Sequence, residues 1–201
     1  FSSLSRNIGI KSMIAKNAPI TVGQTIRIDL SLINWSRDSI ANLPVELYVN
    51  GRQVARTTTS MSGKASSPVV LRHRFERPGR FPLEARIPKD SIGKDNVRRL
   101  VVEVRDSLHV QIVEESGSVC GSYIGAALAP FSGKPIALGE RPAIDVSRAR
   151  ISQWTSHDST NIDCLILCDP VQLSNSEIQL IRTHLKGGKG VVLFLGPHVD
   201  L

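Results

Sequence analysis

No cysteine occurs in the first 119 residues, and only three follow, Cys120, Cys164 and Cys168. Three cannot form the disulfide framework of a small secreted domain. Aromatic residues are 4% of the chain, too few to offer a stacking platform for unpaired bases, so nucleic acid is not an expected partner. No apolar run approaches the roughly 20 residues a membrane-spanning helix needs. The longest, such as Val191 to Leu195, are one strand long. The five histidines are spread singly without metal-ligand spacing, so neither a metal nor a cofactor is expected. Neither an initiator Met nor a signal-peptide pattern opens the chain, which therefore reads as part of a larger protein.

What remains is ordinary globular composition, 41% hydrophobic and 21% charged, in a length that suits one large domain or two small ones. The charge is uneven. Residues 1–107 carry 18 Lys and Arg against 9 Asp and Glu; residues 108–201 carry 7 against 9. This change of sign predicts a domain boundary near Ser107.

The hydrophobic period of residues 1–107 is two, the period of half-buried strands. Ile26, Ile28, Leu30 and Leu32 alternate with Arg27, Asp29 and Ser31. Val45, Leu47 and Val49 alternate with Glu46 and Tyr48. Asn50-Gly51 then suits the positive φ angles of a type I′ hairpin, returning as Arg52 to Thr58. Pro68 to Phe75 and Arg80 to Ile87 are expected to pair across Arg77-Pro78-Gly79. Val97 to Val104 gives a last strand and Asn7 to Ala15 an opening one. About seven short strands, each with one apolar face, predict two packed antiparallel sheets, an immunoglobulin-like sandwich.

Residues 108–201 change period. Leu108 to Val113 reads as a strand, followed by Ser116-Gly117-Ser118 and a helix stopped by Pro130. A further strand is expected around Arg150 to Trp154. Asp163 to Cys168 and Val191 to Leu195 are apolar on both faces, as buried parallel strands are. Between them, Ser174 and Glu177 form a capping box, with Leu173 and Ile178 at the positions of a hydrophobic staple. Ile178, Ile181 and Leu185 share a face, and Gly187-Gly188 stops the helix. This order predicts a truncated α/β unit with a flavodoxin-like parallel sheet, and the less stable of the two halves.

Several stretches resemble known families. Gly23-Gln24-Thr25, Leu32-Ile33-Asn34-Trp35-Ser36, Leu43 to Gly51 and Pro78-Gly79-Arg80-Phe81 resemble the bacterial cell-adhesion-related immunoglobulin-like domain. The Asp163 strand, Leu173-Ser174 and His184 to Gly196 resemble the class I glutamine-amidotransferase-like fold. In tandem they are similar to the extracytoplasmic region of bacterial membrane-anchored, aerotolerance-type proteins with a von Willebrand factor A domain. That resemblance implies an extracytoplasmic position, tethered through a membrane segment elsewhere in the parent protein. True amidotransferases carry a nucleophilic Cys on a Gly-x-Cys-x-Gly elbow. Here the comparable strand end reads Gly196-Pro197-His198-Val199-Asp200, without Cys, and Pro197 lacks a backbone donor. The fold is implied without its chemistry.

Ligands of open α/β sheets bind at the carboxyl ends of the strands. That rim would display Glu114, Glu115, Asp169 and His198. Cys164 and Cys168 lie roughly 13 Å apart along one strand, too far to pair with each other, and read as core residues. Cys120 reads as a helix-packing residue. Arg72, Arg74, Arg80 and Arg86 would form a basic face if their strands pair, suited to a protein partner or an anionic surface. The expected function is a non-catalytic extracytoplasmic interaction and assembly module. The rival is a fragment of a hydrolase or amidotransferase whose catalytic residues lie beyond Leu201.

Overall fold

The computed structural model describes residues 6–16, 19–130, 142–154 and 161–196. His198 and the rest of the segment after Gly196 lie outside the described residues. The chain divides into two compact units, Phe1–Asp106 and Ser107–Leu201.

The first unit contains β1 (Ile8–Ala15), β2 (Ile20–Thr21), β3 (Thr25–Asn34), β4 (Ile40–Val49), β5 (Arg52–Met61), β6 (Ser66–Arg74), β7 (Gly79–Arg86) and β8 (Val97–Arg105). They form a three-stranded sheet, β1-β3-β6, and a five-stranded sheet, β2-β8-β7-β4-β5. The alternation in β3 and β4 does what it predicts: Ile26, Ile28, Leu32, Val45 and Leu47 are fully buried in one core. Asn50 and Gly51 both adopt positive φ, 49° and 77°, and turn β4 into β5. Pairing is antiparallel throughout, except that β2, which sequence alone does not reveal, runs parallel to β8.

One predicted pairing is wrong. β6 does not pair with β7. It pairs with β3, Leu71 opposite Ile28, while β7 lies between β4 and β8 in the other sheet. The Phe75–Gly79 connection therefore carries the chain from one sheet to the other, with Gly79 at φ 137°. Alternation specifies which face of a strand is buried, not which strand lies beside it.

Two buried asparagines hold the loops of this unit. Asn34 accepts a hydrogen bond from the Ser36 N–H (3.0 Å) and donates to the carbonyls of Asp38 (2.9 Å) and Ser62 (3.1 Å). Asn96 donates to the Ile8 carbonyl (2.9 Å) and accepts from the Asp90 N–H (3.3 Å). Each satisfies backbone groups that the strands leave unpaired at their ends.

The second unit contains β9 (Leu108–Glu114), α1 (Cys120–Leu128), β10 (Ile144–Arg150), a 3-10 turn (Ile151–Gln153), β11 (Cys164–Cys168), α2 (Asn175–Lys186) and β12 (Gly190–Phe194). The four strands are all parallel, in the order β10-β9-β11-β12. On one face Ile124 and Leu128 of α1 pack with Val110, Ile112 and Ile166. On the other, Leu180 and Ile181 of α2 pack with Val113, Leu165, Leu167 and Trp154. The capping box at Ser174 and Glu177 is formed, and Gly188 takes the positive φ (73°) after α2.

Four expectations are corrected here. The strand expected at Arg150–Trp154 ends at Arg150; the 3-10 turn follows it. Leu185 does not face the core: it is exposed, and His184 is buried beside the Leu180–Ile181 stripe. β12 is not buried. Among the described residues it is an edge strand, and Val192, Leu193 and Phe194 are each more than 40% exposed. Cys120 and Cys168 are not separate packing residues. They form a disulfide, with Cα atoms 5.9 Å apart.

Candidate functional site

Two groups of residues carry the chemistry foreseen from the sequence. The first lies at the carboxyl ends of the parallel strands. Strand order reverses between β9 and β11, because the chain steps from β9 outward to β10 and then back across to β11. In open α/β sheets this is where a crevice forms. Glu114 ends β9 opposite Cys168, and Asp169 follows β11, so the fold brings both carboxylates to this point.

Glu114 is nearly enclosed, its side chain 11% exposed. One carboxylate oxygen accepts from the Gly121 N–H (3.1 Å) in the first turn of α1. The other accepts from Arg148 at the end of β10, through Nε at 3.1 Å and through Nη2. The carboxylate thus satisfies an orphan donor of α1, opposes the positive end of its dipole and meets a guanidinium. A β-carbon on Gly121 would lie 2.5 Å from the Glu114 oxygen, so any side chain there must displace this carboxylate. The disulfide joins the first residue of α1 to the last of β11 beside this contact.

Asp169 is 5% exposed and in the left-handed region, φ 50°. Its N–H donates to the Phe194 carbonyl (2.9 Å), and its carboxylate occupies the space that a side chain at Gly196 would need. Glu115 points elsewhere, accepting from the Ser116 N–H at 3.2 Å. Burial pushes the Cys164 thiol above its ordinary pKa, the reverse of what a nucleophilic thiolate requires. Among the described residues no group of three or more His, Cys, Asp or Glu could hold a metal ion. At the opposite ends of the strands, the Asp163 carboxylate accepts from the His109 N–H (3.0 Å), and His109 Nδ1 lies 3.2 Å from Asp145. This tie links the starts of β9, β10 and β11.

The second group is the expected basic face, which does not form as drawn. Arg72 and Arg74 belong to the three-stranded sheet, Arg80 and Arg86 to the five-stranded sheet. On the latter's outer face four arginines meet acid. Arg80 lies opposite Glu103 (3.8 Å), Arg99 bonds Glu84 (2.8 Å), and Arg56 lies 3.8 Å from Glu46. Arg86 bonds Glu84 and lies over the Tyr48 ring, 4.0 Å from its centroid. The Arg86 hydrogen bond holds the Glu84 carboxyl below the usual range. On this face arginines and glutamates alternate across the strands, with Glu84 shared by Arg86 and Arg99.

On the three-stranded sheet the arrangement differs. Arg27 of β3 lies directly opposite Arg72 of β6, and the Lys16 N–H donates to the Arg27 carbonyl (2.8 Å) from the other side. Lys16 and Arg27, absent from the expected set, complete a row with Arg72. For Arg27 the signal was present in the sequence, since it stands between Ile26 and Ile28; Lys16 follows the last residue of β1 and carries no such pattern.

No family model and no curated protein matches the chain. Solved structures with a similar fold include a CARDB domain from Pyrococcus furiosus in its solution form, at 14% identity over 51% of this chain and 97% of that one, with a TM-score of 0.46. Its crystal form, in complex with di-metal ions, covers 52% of this chain and 98% of that one at the same identity and TM-score. A domain of a protein provisionally described as a cell surface protein, from Methanosarcina acetivorans, matches at 17% identity over 49% of this chain and 91% of that one, with a TM-score of 0.40. These neighbours bear on fold alone. Among the described residues no helix is long and apolar enough to cross a membrane.

Proposed function

We propose that the chain is a non-catalytic, extracytoplasmic interaction and assembly module of a larger membrane-anchored protein. The sandwich presents sheet faces to a partner, and the second unit serves as a scaffold. In this reading the second unit is a flavodoxin-like domain related to the class I glutamine amidotransferases. Its strand order, second-first-third-fourth, supports that relation. The Cys120–Cys168 disulfide supports an oxidising compartment, where such bonds persist.

One observation carries the non-catalytic part. Glu114, one of the two carboxylates at the strand ends, is already committed to Gly121 and Arg148. A catalytic carboxylate must instead reach a substrate proton. Neither bonded cysteine can attack a carbonyl, and burial keeps the third thiol protonated.

The test pairs two measurements. Purified protein is assayed for ammonia release from glutamine and for hydrolysis of p-nitrophenyl acetate. The parent protein is crosslinked in its own cells and its partners mapped by mass spectrometry. The expected result is no turnover above buffer, with crosslinks from the sandwich to another protein. Turnover abolished by Glu114→Gln would overturn the proposal.

A further inference from the structure

Lys16, Arg27 and Arg72 stand side by side across the outer face of the three-stranded sheet. Their strands are about 4.8 Å apart, so the row is roughly 10 Å wide. The register is unambiguous: Ala15 lies opposite Ile28, which places Lys16 beside Arg27, and Arg27 lies opposite Arg72. Ile26, Ile28 and Leu71 are buried on the inner side, so the three cations face outward. Arg74 extends the patch one step along β6, opposite Thr25.

Four cations share two carboxylates. Asp29 bonds Arg27 at 2.6 Å, and Glu76 lies 3.4 Å from Arg74. Among the described residues Lys16 and Arg72 have no carboxylate partner. Like charges directly opposite one another destabilise a sheet. The same sandwich avoids that on its other outer face, where Arg80 faces Glu103 and Arg99 faces Glu84. Cations set directly opposite cations on one face, and acid set opposite base on the other, is an asymmetry that stability does not explain.

We infer that this row is a docking surface for an acidic segment of a partner protein, whose carboxylates supply the charge that the sheet lacks. Arginine forks suit bidentate carboxylate contacts. The patch is confined to one end of the face, and the carboxylates of Asp29 and Glu76 lie within it, which disfavours a continuous anionic lipid surface. No aromatic side chain stands in the row or opposite it on these strands, which disfavours both interfacial anchoring and base stacking. The inference rests on the interaction-module reading and names the chemistry of the partner.

The test uses the full chain and a fluorescein-labelled octaglutamate peptide, followed by fluorescence anisotropy across a salt series. Arg72→Glu and Lys16→Glu are each expected to weaken binding at least tenfold. Arg52→Glu, the same charge change at the exposed β4–β5 hairpin, is expected to alter it less than twofold. Arg72→Glu also places unlike charges opposite one another, so its melting temperature should not fall, which separates lost binding from lost fold. The inference is overturned if the wild type does not bind at low salt, or if Arg52→Glu weakens binding as much as Arg72→Glu. It is also overturned if Arg72 governs binding to phosphatidylserine vesicles and not to the peptide. In each of these cases the module reading survives if cellular crosslinks to a partner fall on other faces, and fails with it if there are none.

Discussion

Cys120, the first residue of α1, is covalently joined to Cys168, the last of β11, across 48 positions of sequence. The bond closes a loop containing β10 and ties together two elements that flank the point where strand order reverses. In the chain-entropy account a loop of this length stabilises by about 4 kcal/mol. Reduction, or the double substitution Cys120→Ser with Cys168→Ser, should therefore weaken the second unit by roughly 2–4 kcal/mol. The first unit has no cysteine and should be untouched. Urea unfolding read by region-resolved hydrogen exchange checks both halves of this. Equal loss in the two units would refute it.

Glu114 and Gly121 depend on one another. Replacing Glu114 with Ala strands the Gly121 N–H in a nearly closed site and takes the carboxylate from the half-exposed Arg148 guanidinium, an expected loss of about 1–3 kcal/mol. Gly121→Ala drives a β-carbon into the same carboxylate and should cost about 1–3 kcal/mol. Because the clash needs the carboxylate, the double substitution should cost clearly less than the two singles together. A double-mutant cycle in urea measures this, and strict additivity would show that the contact is not formed.

Much of the architecture was legible because burial leaves a period. In β3 the alternation of Ile26, Ile28, Leu30 and Leu32 marks both the strand and its inner face. At Ser174 and Glu177 the helix start is written in two side chains three residues apart. What was not legible depends on neighbours distant in sequence. Nothing in Pro68 to Ile87 says that its two strands part into different sheets, since each would bury the same face either way. Spacing along β11 correctly separates Cys164 from Cys168 and is silent about Cys120. The run Val191 to Phe194 is as apolar as Leu165 to Leu167, yet among the described residues it stands at the sheet edge and is exposed. Arg27 and Arg72 were visible as outward cations and Lys16 was not, and their row exists only once β1, β3 and β6 are known to be adjacent.

Asn34 shows a different kind of legibility. The resemblance to adhesion-related domains includes this asparagine, and the structure supplies its reason: one side chain bonds the loops after β3 and after β5. Asn34→Ala should leave the Ser36 N–H and two carbonyls without their partner and lower the stability of the first unit by about 2–3 kcal/mol. Asn34→Asp keeps the acceptor and loses both donors, so it should also destabilise. Thermal unfolding would distinguish these from an exposed control such as Arg52→Ala, expected within about 0.5 kcal/mol of the wild type.

His184 makes the second unit sensitive to acid. It is buried on α2, its Nε2 has no hydrogen-bond partner, and burial, reinforced by the nearby Lys189 charge, lowers its pKa from the ordinary value of 6.5. The unfolded chain therefore takes up a proton at a pH where the folded one does not. The folded state is favoured fully above about pH 6.5, and that advantage is lost as pH falls from there through the folded-state value. Stability of the second unit measured by urea unfolding should accordingly decline below about pH 6.5, and His184→Leu, which cannot take the proton, should flatten that decline. His73 is also held low, chiefly by burial, so the first unit carries a response of the same sign that His184→Leu cannot remove. An unchanged slope in the second unit after His184→Leu would mean that the imidazole is already solvated in the folded protein.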